Sequence, residues 1–177
     1  SDLLPTPEGI EVCRDYHIQM PMQSAFIGWK QEPDDYLERI LGHDRLEKLN
    51  PIRTFRDNDI VVSFGSDAPC TTPDPIAWMD RAVNNDNAGQ AVSVQDALRM
   101  CTYNGAWAAF DEQERGSLEA GKIADMAVLS ENPYTVPKDK LSGLRVERLY
   151  LGGKPYESCR ESILPMMLRG LTSRNKA

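Results

Sequence analysis

The stretch Ile60-Val61-Val62-Ser63-Phe64-Gly65-Ser66-Asp67-Ala68-Pro69 decides the fold class. Its first five residues are β-branched and nearly continuous in apolar character, the pattern of a parallel strand covered on both faces. Gly65 to Pro69 ends that strand abruptly, and helical patterns lie on either side of it. Upstream, from Asp34, the residues Tyr36, Leu37, Ile40 and Leu41 recur at helical spacing, and Gly42 stands as a helix stop. Further short helices are expected over residues 44–49 and after Pro51. Downstream, Asp74 can cap a helix whose first turn opens with Pro75, because proline lacks only an N–H that would be orphaned there. Ile76, Met79, Ala82 and Val83 share one face of that helix. Another helix starts at Ser93, with Asp96 in a capping-box position and an apolar stripe of Ala97, Leu98 and Cys101. Asn104-Gly105 is expected to break it, with Ala106 to Phe110 adding a turn or two. A buried strand among helices makes this part of the chain α/β.

Both ends read differently. Residues 10–20 alternate in part between apolar and polar and are expected to form a strand ending at Pro21; residues 22–32, with Gly28 and Trp29, read as a loop. Beyond the acidic run Asp111-Glu112-Gln113-Glu114 turn residues and strands take over. Residues 126–129, 145–151 and 154–156 read as short strands, with Gly152-Gly153 a two-residue hairpin signal between the last two. The tail holds Ile163, Leu164, Met166, Met167 and Leu168 around Pro165 and reads as a docked, partly helical extension.

Composition narrows the function. The 177 residues suffice for one domain and not for two large ones. Hydrophobic residues make up 41% and charged residues 27%, so a core and a solvated surface are both available. The formal charge of -7 repels a phosphate backbone and argues against a nucleic-acid partner. No apolar run reaches the ~18 residues a spanning helix needs, which argues against a membrane protein. Cys13, Cys70, Cys101 and Cys159 are far apart and form no C-x-x-C pair, which suits a reducing, cytoplasmic setting. With His17 and His43 as the only histidines, the chain alone can hardly build a catalytic zinc site of three ligands.

Asp67 is the residue to single out. It follows the C-terminal end of the buried strand, where β/α folds display functional side chains on a rigid sheet. A carboxylate there can ligate a metal and exchange a proton with metal-bound water. Alternatively, Ser66 and Asp67 merely close a turn by bonding nearby backbone N–H groups. Gly116-Ser-Leu-Glu-Ala-Gly121-Lys122 matches seven places of a phosphate-binding loop, but Ile123 stands where Ser or Thr should. An acidic stretch precedes it and a strand follows, so a nucleotide site is rejected and the glycines are assigned to tight turns. Cys70, three residues after Asp67, has no histidine nearby in sequence and reads as a small apolar side chain. His17 reads as a hydrogen-bonded structural residue, and His43 as one favoured by the dipole at a helix end. Thr102 and Asn104 are expected to hold the junction between two helices by side-chain-to-backbone bonds.

Four stretches, in order, resemble the C-terminal part of the metal-dependent amidohydrolase superfamily, and most closely amidohydrolase family 3, the YtcJ-like proteins. They are Val62 to Pro69 with Asp74-Pro75; Ser93 to Leu98 with Thr102, Asn104 and Ala106; Gly116 to Leu129; and Val146 to Lys154. Gln19 with Pro21, and Gly42 with Arg45, add weaker matches. The resemblance implies the last two strands and helices of a (β/α)8 barrel over residues 1–115. It further implies part of a small composite β-sandwich over 116–157, followed by a C-terminal extension over 158–177. It implies hydrolysis of an amide-type C–N bond in a small-molecule substrate, with one or two divalent metals, often zinc. Asp67 would then be both the catalytic residue and a metal ligand, activating the water and passing its proton to the leaving nitrogen. Asn58-Asp59 replace the glycine usual before the last strand.

A complete barrel takes about 250 residues, and the family's H-x-H strand is absent from this chain. The chain therefore reads as a C-terminal fragment, expected to be inactive by itself and to bind metal weakly or not at all. The alternative is a noncatalytic interaction or assembly module that retains the motifs. Two barrel strands without neighbours leave open edges, so self-association is expected.

Overall fold

The computed structural model describes residues 4–26 and 36–156. The chain opens with a helix, α1 (Pro7–Asp15), rather than the strand expected over residues 10–20. The reason is local. The Thr6 side chain accepts from the Gly9 N–H at 3.1 Å, and Pro7 fills the first helical position. That start signal outweighs the partial alternation of Ile10 and Val12, and Ile10 and Cys13 pack one turn apart against the core. The strand β1 (Met20–Met22) begins only after a turn in which His17 takes φ 52°. Of the loop expected over 22–32, residues 24–26 form a 3-10 turn, and Gly28 and Trp29 lie outside the described residues.

Three short helices follow: α2 (Tyr36–Leu41), α3 (His43–Leu46) and α4 (Ile52–Asp57). Gly42 separates the first two at φ 75°. The expected start at Asp34 lies outside the described residues. The central strand forms as β2 (Val62–Phe64) and pairs with β1 in parallel, Met20 opposite Val62 and Met22 opposite Phe64. Next comes α5 (Pro75–Val83), where Asp74 accepts from the Ile76 and Ala77 N–H groups at 3.0 and 3.4 Å. In α6 (Val94–Cys101) the Ser93–Asp96 capping box closes in both directions.

The break after α6 falls at Thr102, not at Asn104-Gly105, which belong to the first turns of α7 (Tyr103–Ala108). Asn104 tolerates that place because its carboxamide is used elsewhere, donating to the Val62 carbonyl of β2 at 2.7 Å. Thr102 Oγ1 does donate to the Leu98 carbonyl at 2.8 Å. Finally β3 (Met126–Leu129), β4 (Val146–Leu151) and β5 (Lys154–Pro155) form an antiparallel sheet, with Gly152 and Gly153 turning the hairpin at positive φ.

The core lies between one face of the parallel pair and the helices. Met22, Val62, Ile52, Phe55, Met79, Ala82 and Ala97 are each at most 1% exposed. Leu141 and Leu144, between β3 and β4 in sequence, join the same core. Residues 158–177, read as a docked extension, lie outside the described residues. Among the described residues no helix is long and apolar enough to cross a membrane.

Candidate active site

The parallel pair has two chemically different faces. Met20, Met22, Val62 and Phe64 belong to the core side, and Ser24, two residues beyond Met22, is also buried and donates to the Trp78 carbonyl at 2.9 Å. Successive side chains alternate across a strand, so Gln19, Pro21 and Gln23 of one chain segment and Ser63 and Gly65 of the other share the opposite face. That face, which by the same alternation also carries Val61, holds one polar contact: Ser63 Oγ donates to Gln19 Oε1 at 3.4 Å.

Asp67 stands at the C-terminal end of β2, two residues beyond Gly65. The segment that carries it is tied down by its neighbours. Ser66 Oγ accepts from the Ala68 N–H at 3.1 Å, and the Ser66 carbonyl accepts from Thr71 Oγ1 at 2.6 Å. The Cys70 N–H donates to the Asp67 carbonyl at 2.9 Å. Asp67 itself has φ 52°, is exposed, and its carboxylate makes no hydrogen bond or ion pair among the described residues. Ser66 therefore closes the turn, and the Asp67 carboxylate is left over from that work. Thr71, which the sequence reading passed over, is the buried anchor; a hydroxyl five residues after Ser66 was its one signal.

The remaining candidates are not gathered at Asp67. Cys70 is exposed in the same turn, not packed as a small apolar group. His17 is exposed and its side chain makes no hydrogen bond among the described residues, in contrast to the structural role expected. His43 opens α3 rather than merely closing α2, and it stands 3.5 Å from Glu38 and 3.4 Å from Glu47. Lys122 of the loop-like motif is turned inward. Its ammonium donates to the Glu112 carbonyl at 2.7 Å and Ser117 Oγ at 2.6 Å, which pins the chain segment leading to β3. Gly116 and Gly121 take φ 90° and 96°, the tight-turn use expected of them.

Asp67 offers one carboxylate. No group of three or more His, Cys, Asp or Glu side chains placed to hold a metal ion occurs among the described residues. A catalytic zinc takes three protein ligands, so these residues do not by themselves fit a complete metal centre.

The sequence matches the profile of the Amidohydrolase family over residues 7–156, and the chain belongs to that family. It is 34% identical over 152 residues to the N-substituted formamide deformylase of Arthrobacter pascens, a match covering 82% of this chain and 26% of the relative. It is 27% identical to the putative amidohydrolase YtcJ of Bacillus subtilis, covering 64% of this chain and 23% of that protein. Among solved structures, an uncharacterized metal-dependent hydrolase from Pyrococcus furiosus superimposes with a TM-score of 0.67 at 24% identity, over 75% of this chain and 28% of the other. A zinc-bound adenosine deaminase from Xanthomonas campestris gives 0.64 at 17% identity, over 97% and 40%. These structural likenesses establish a shared fold. The chain spans about a quarter of the length of the curated relatives it matches.

Proposed function

We propose that this chain is part of a metal-dependent hydrolase that cleaves a C–N bond of a small-molecule amide, and that Asp67 handles the proton in that reaction. The observation carrying the proposal is the unbonded, exposed carboxylate of Asp67 at the C-terminal end of a parallel strand, on a turn otherwise fully tied. A divalent metal, zinc most often, supplies an acidified water in such enzymes. Asp67 takes the proton of the attacking water and returns it to the departing nitrogen, the reciprocal use of one carboxylate as base and then acid. Residues 1–115 correspond to the end of a barrel and 116–157 to part of a smaller sheet domain. On this reading the isolated chain, short of metal ligands, is inactive, and the dispersed cysteines favour a reducing, cytoplasmic setting.

The test uses the whole protein. Asp67→Asn keeps shape and removes the base, so turnover of N-formyl and N-acetyl amines falls by ~10²–10⁴-fold while the thermal transition stays within a degree or two. Undiminished turnover in Asp67→Asn removes Asp67 from the chemistry. Hydrolysis by the isolated 177-residue chain, abolished with a chelator, overturns the partition of the site between this chain and the rest.

A further inference from the structure

We propose that the cavity at the N-terminal end of β2 binds an α-amino acid with a large apolar side chain, its carboxylate on Arg99 and its ammonium on Asp59. This site is separate from the hydrolytic one, because Asp59, Ile60 and Val61 precede β2 whereas Asp67 follows it. The proposal therefore stands apart from the C–N hydrolysis proposed above.

The cavity holds about 330 Å³, inside the ~300–1,000 Å³ range of small-molecule sites. Much of its wall is aromatic and apolar. Tyr103 and Trp107, at i and i+4, share one face of α7, and Met100 of α6 joins Ile60 and Val61 in the lining. Two opposite charges stand in that wall without a protein partner. The Arg99 guanidinium lies 4.2 Å from the centre of the Tyr103 ring and makes no ion pair or hydrogen bond among the described residues. Stacking uses the face of a guanidinium and leaves its N–H fork free in the plane, the geometry that takes a carboxylate through two hydrogen bonds. Asp59 is exposed, sits at φ 58°, and its carboxylate makes no ion pair or hydrogen bond among the described residues. The other two charges of the lining are spent. Arg56 donates to Asp96 at 2.7 Å and holds Asp57 at 2.7 Å, and Asp96 also accepts from Ser93 Oγ at 2.7 Å.

Arg56 and Arg99 balance Asp59 and Asp96, so the lining has no net charge to attract a simple anion or a simple cation. A monocarboxylate answers Arg99 and brings its charge against Asp59; a primary amine does the reverse. A zwitterion answers both, and an apolar side chain, best an aromatic one, uses the wall that Tyr103 and Trp107 provide.

The test titrates the whole protein by calorimetry with L-phenylalanine, 3-phenylpropanoate, 2-phenylethylamine and glycine. Phenylalanine is expected to bind at least tenfold more tightly than the other three, which lack in turn its ammonium, its carboxylate and its apolar side chain. Arg99→Gln is expected to weaken phenylalanine binding about tenfold or more, the loss of a charge-assisted pair. Asp59→Asn, which keeps a residue tolerant of positive φ, is expected to weaken it as much without weakening 3-phenylpropanoate. Both side chains are exposed, so the thermal transition of each variant stays in place. No binding of phenylalanine, or binding that neither substitution moves, overturns the site and leaves the C–N hydrolysis standing. Equal affinity for phenylalanine and 3-phenylpropanoate overturns the zwitterion. Asp67→Asn is expected to leave the affinity unchanged; a loss there assigns the ligand to the hydrolytic site and overturns the separate one.

Discussion

Gly116→Ala places a methyl group where the fold has no room for one. A Cβ built on Gly116 falls 2.6 Å from Ala106 Cβ and 3.1 Å from the Tyr103 Cα, both on α7. Neither neighbour is the end of a flexible side chain, so relief requires moving α7 or the 111–125 segment. Overpacking of that kind costs about 1–3 kcal/mol. The backbone adds a second penalty, since Gly116 takes φ 90° and left-handed geometry costs an L-residue roughly 1–2 kcal/mol. Together they give about 2–5 kcal/mol, a large share of the ~5–15 kcal/mol typical of a whole domain. The Tm should fall by about 4–20 °C at this chain length. Gly121→Ala is the internal control. Its φ of 96° imposes a similar backbone penalty, but nothing lies within 4 Å of the added carbon. Denaturant unfolding followed by circular dichroism should therefore rank Gly116→Ala below Gly121→Ala by at least 1 kcal/mol. Equal stability of the two variants refutes the argument that the glycine exists to let this segment touch α7.

The remaining expectations concern pH and assembly. Burial pushes the Cys101 thiol up from 9.0 to about 12, so the native state holds its proton where the unfolded chain releases it. Stability should then fall as pH rises from ~9 toward 12, with a slope approaching 1.4 kcal/mol per pH unit; Cys101→Ala should flatten that limb, and an unchanged slope refutes the assignment. Below pH 9, alkylation mapped by mass spectrometry should modify exposed Cys70 well before Cys101. The isolated chain should self-associate, because among the described residues β1 and β2 pair only with each other. Analytical ultracentrifugation that finds a compact monomer across the full concentration range rejects this.

Local signals with a stereochemical mechanism were legible in the sequence. Asp74-Pro75, the Ser93–Asp96 box and the Gly152-Gly153 turn each satisfy or redirect identifiable backbone groups within a few residues, and each forms as read. The error at α1 has the same origin, since Thr6 and Pro7 carried a helix start while a partial alternation was read as a strand. Asn104 shows the other limit. Its neighbour Gly105 marks a break by local rules, but the asparagine is held in α7 by a strand carbonyl 42 positions away. No short-range pattern encodes that bond. The place of Asp67 at the end of β2 was legible because a strand end is a local feature.

The bond from Asn104 also bears on how the site is completed. In a parallel pair, a strand's backbone groups point alternately to its two edges. Val61 and Gly65 spend theirs on β1, through the Met20 N–H at 2.9 Å and the Met22 carbonyl at 3.1 Å. The Val62 carbonyl points to the other edge, where the Asn104 side chain supplies the donor that a neighbouring strand otherwise would. One carbonyl is thus satisfied without a third strand, and the strand that carries Asp67 is held from both sides at its buried end. Among the described residues its C-terminal end is held on the β1 side by the Gly65 N–H and beyond that by the turn's own Ser66, Thr71 and Cys70 bonds. A carboxylate so placed is carried by its own turn, and among the described residues it belongs to no group of three or more His, Cys, Asp or Glu side chains placed to hold a metal ion. The further ligands that the proposed metal requires beside Asp67 therefore come from outside the described residues.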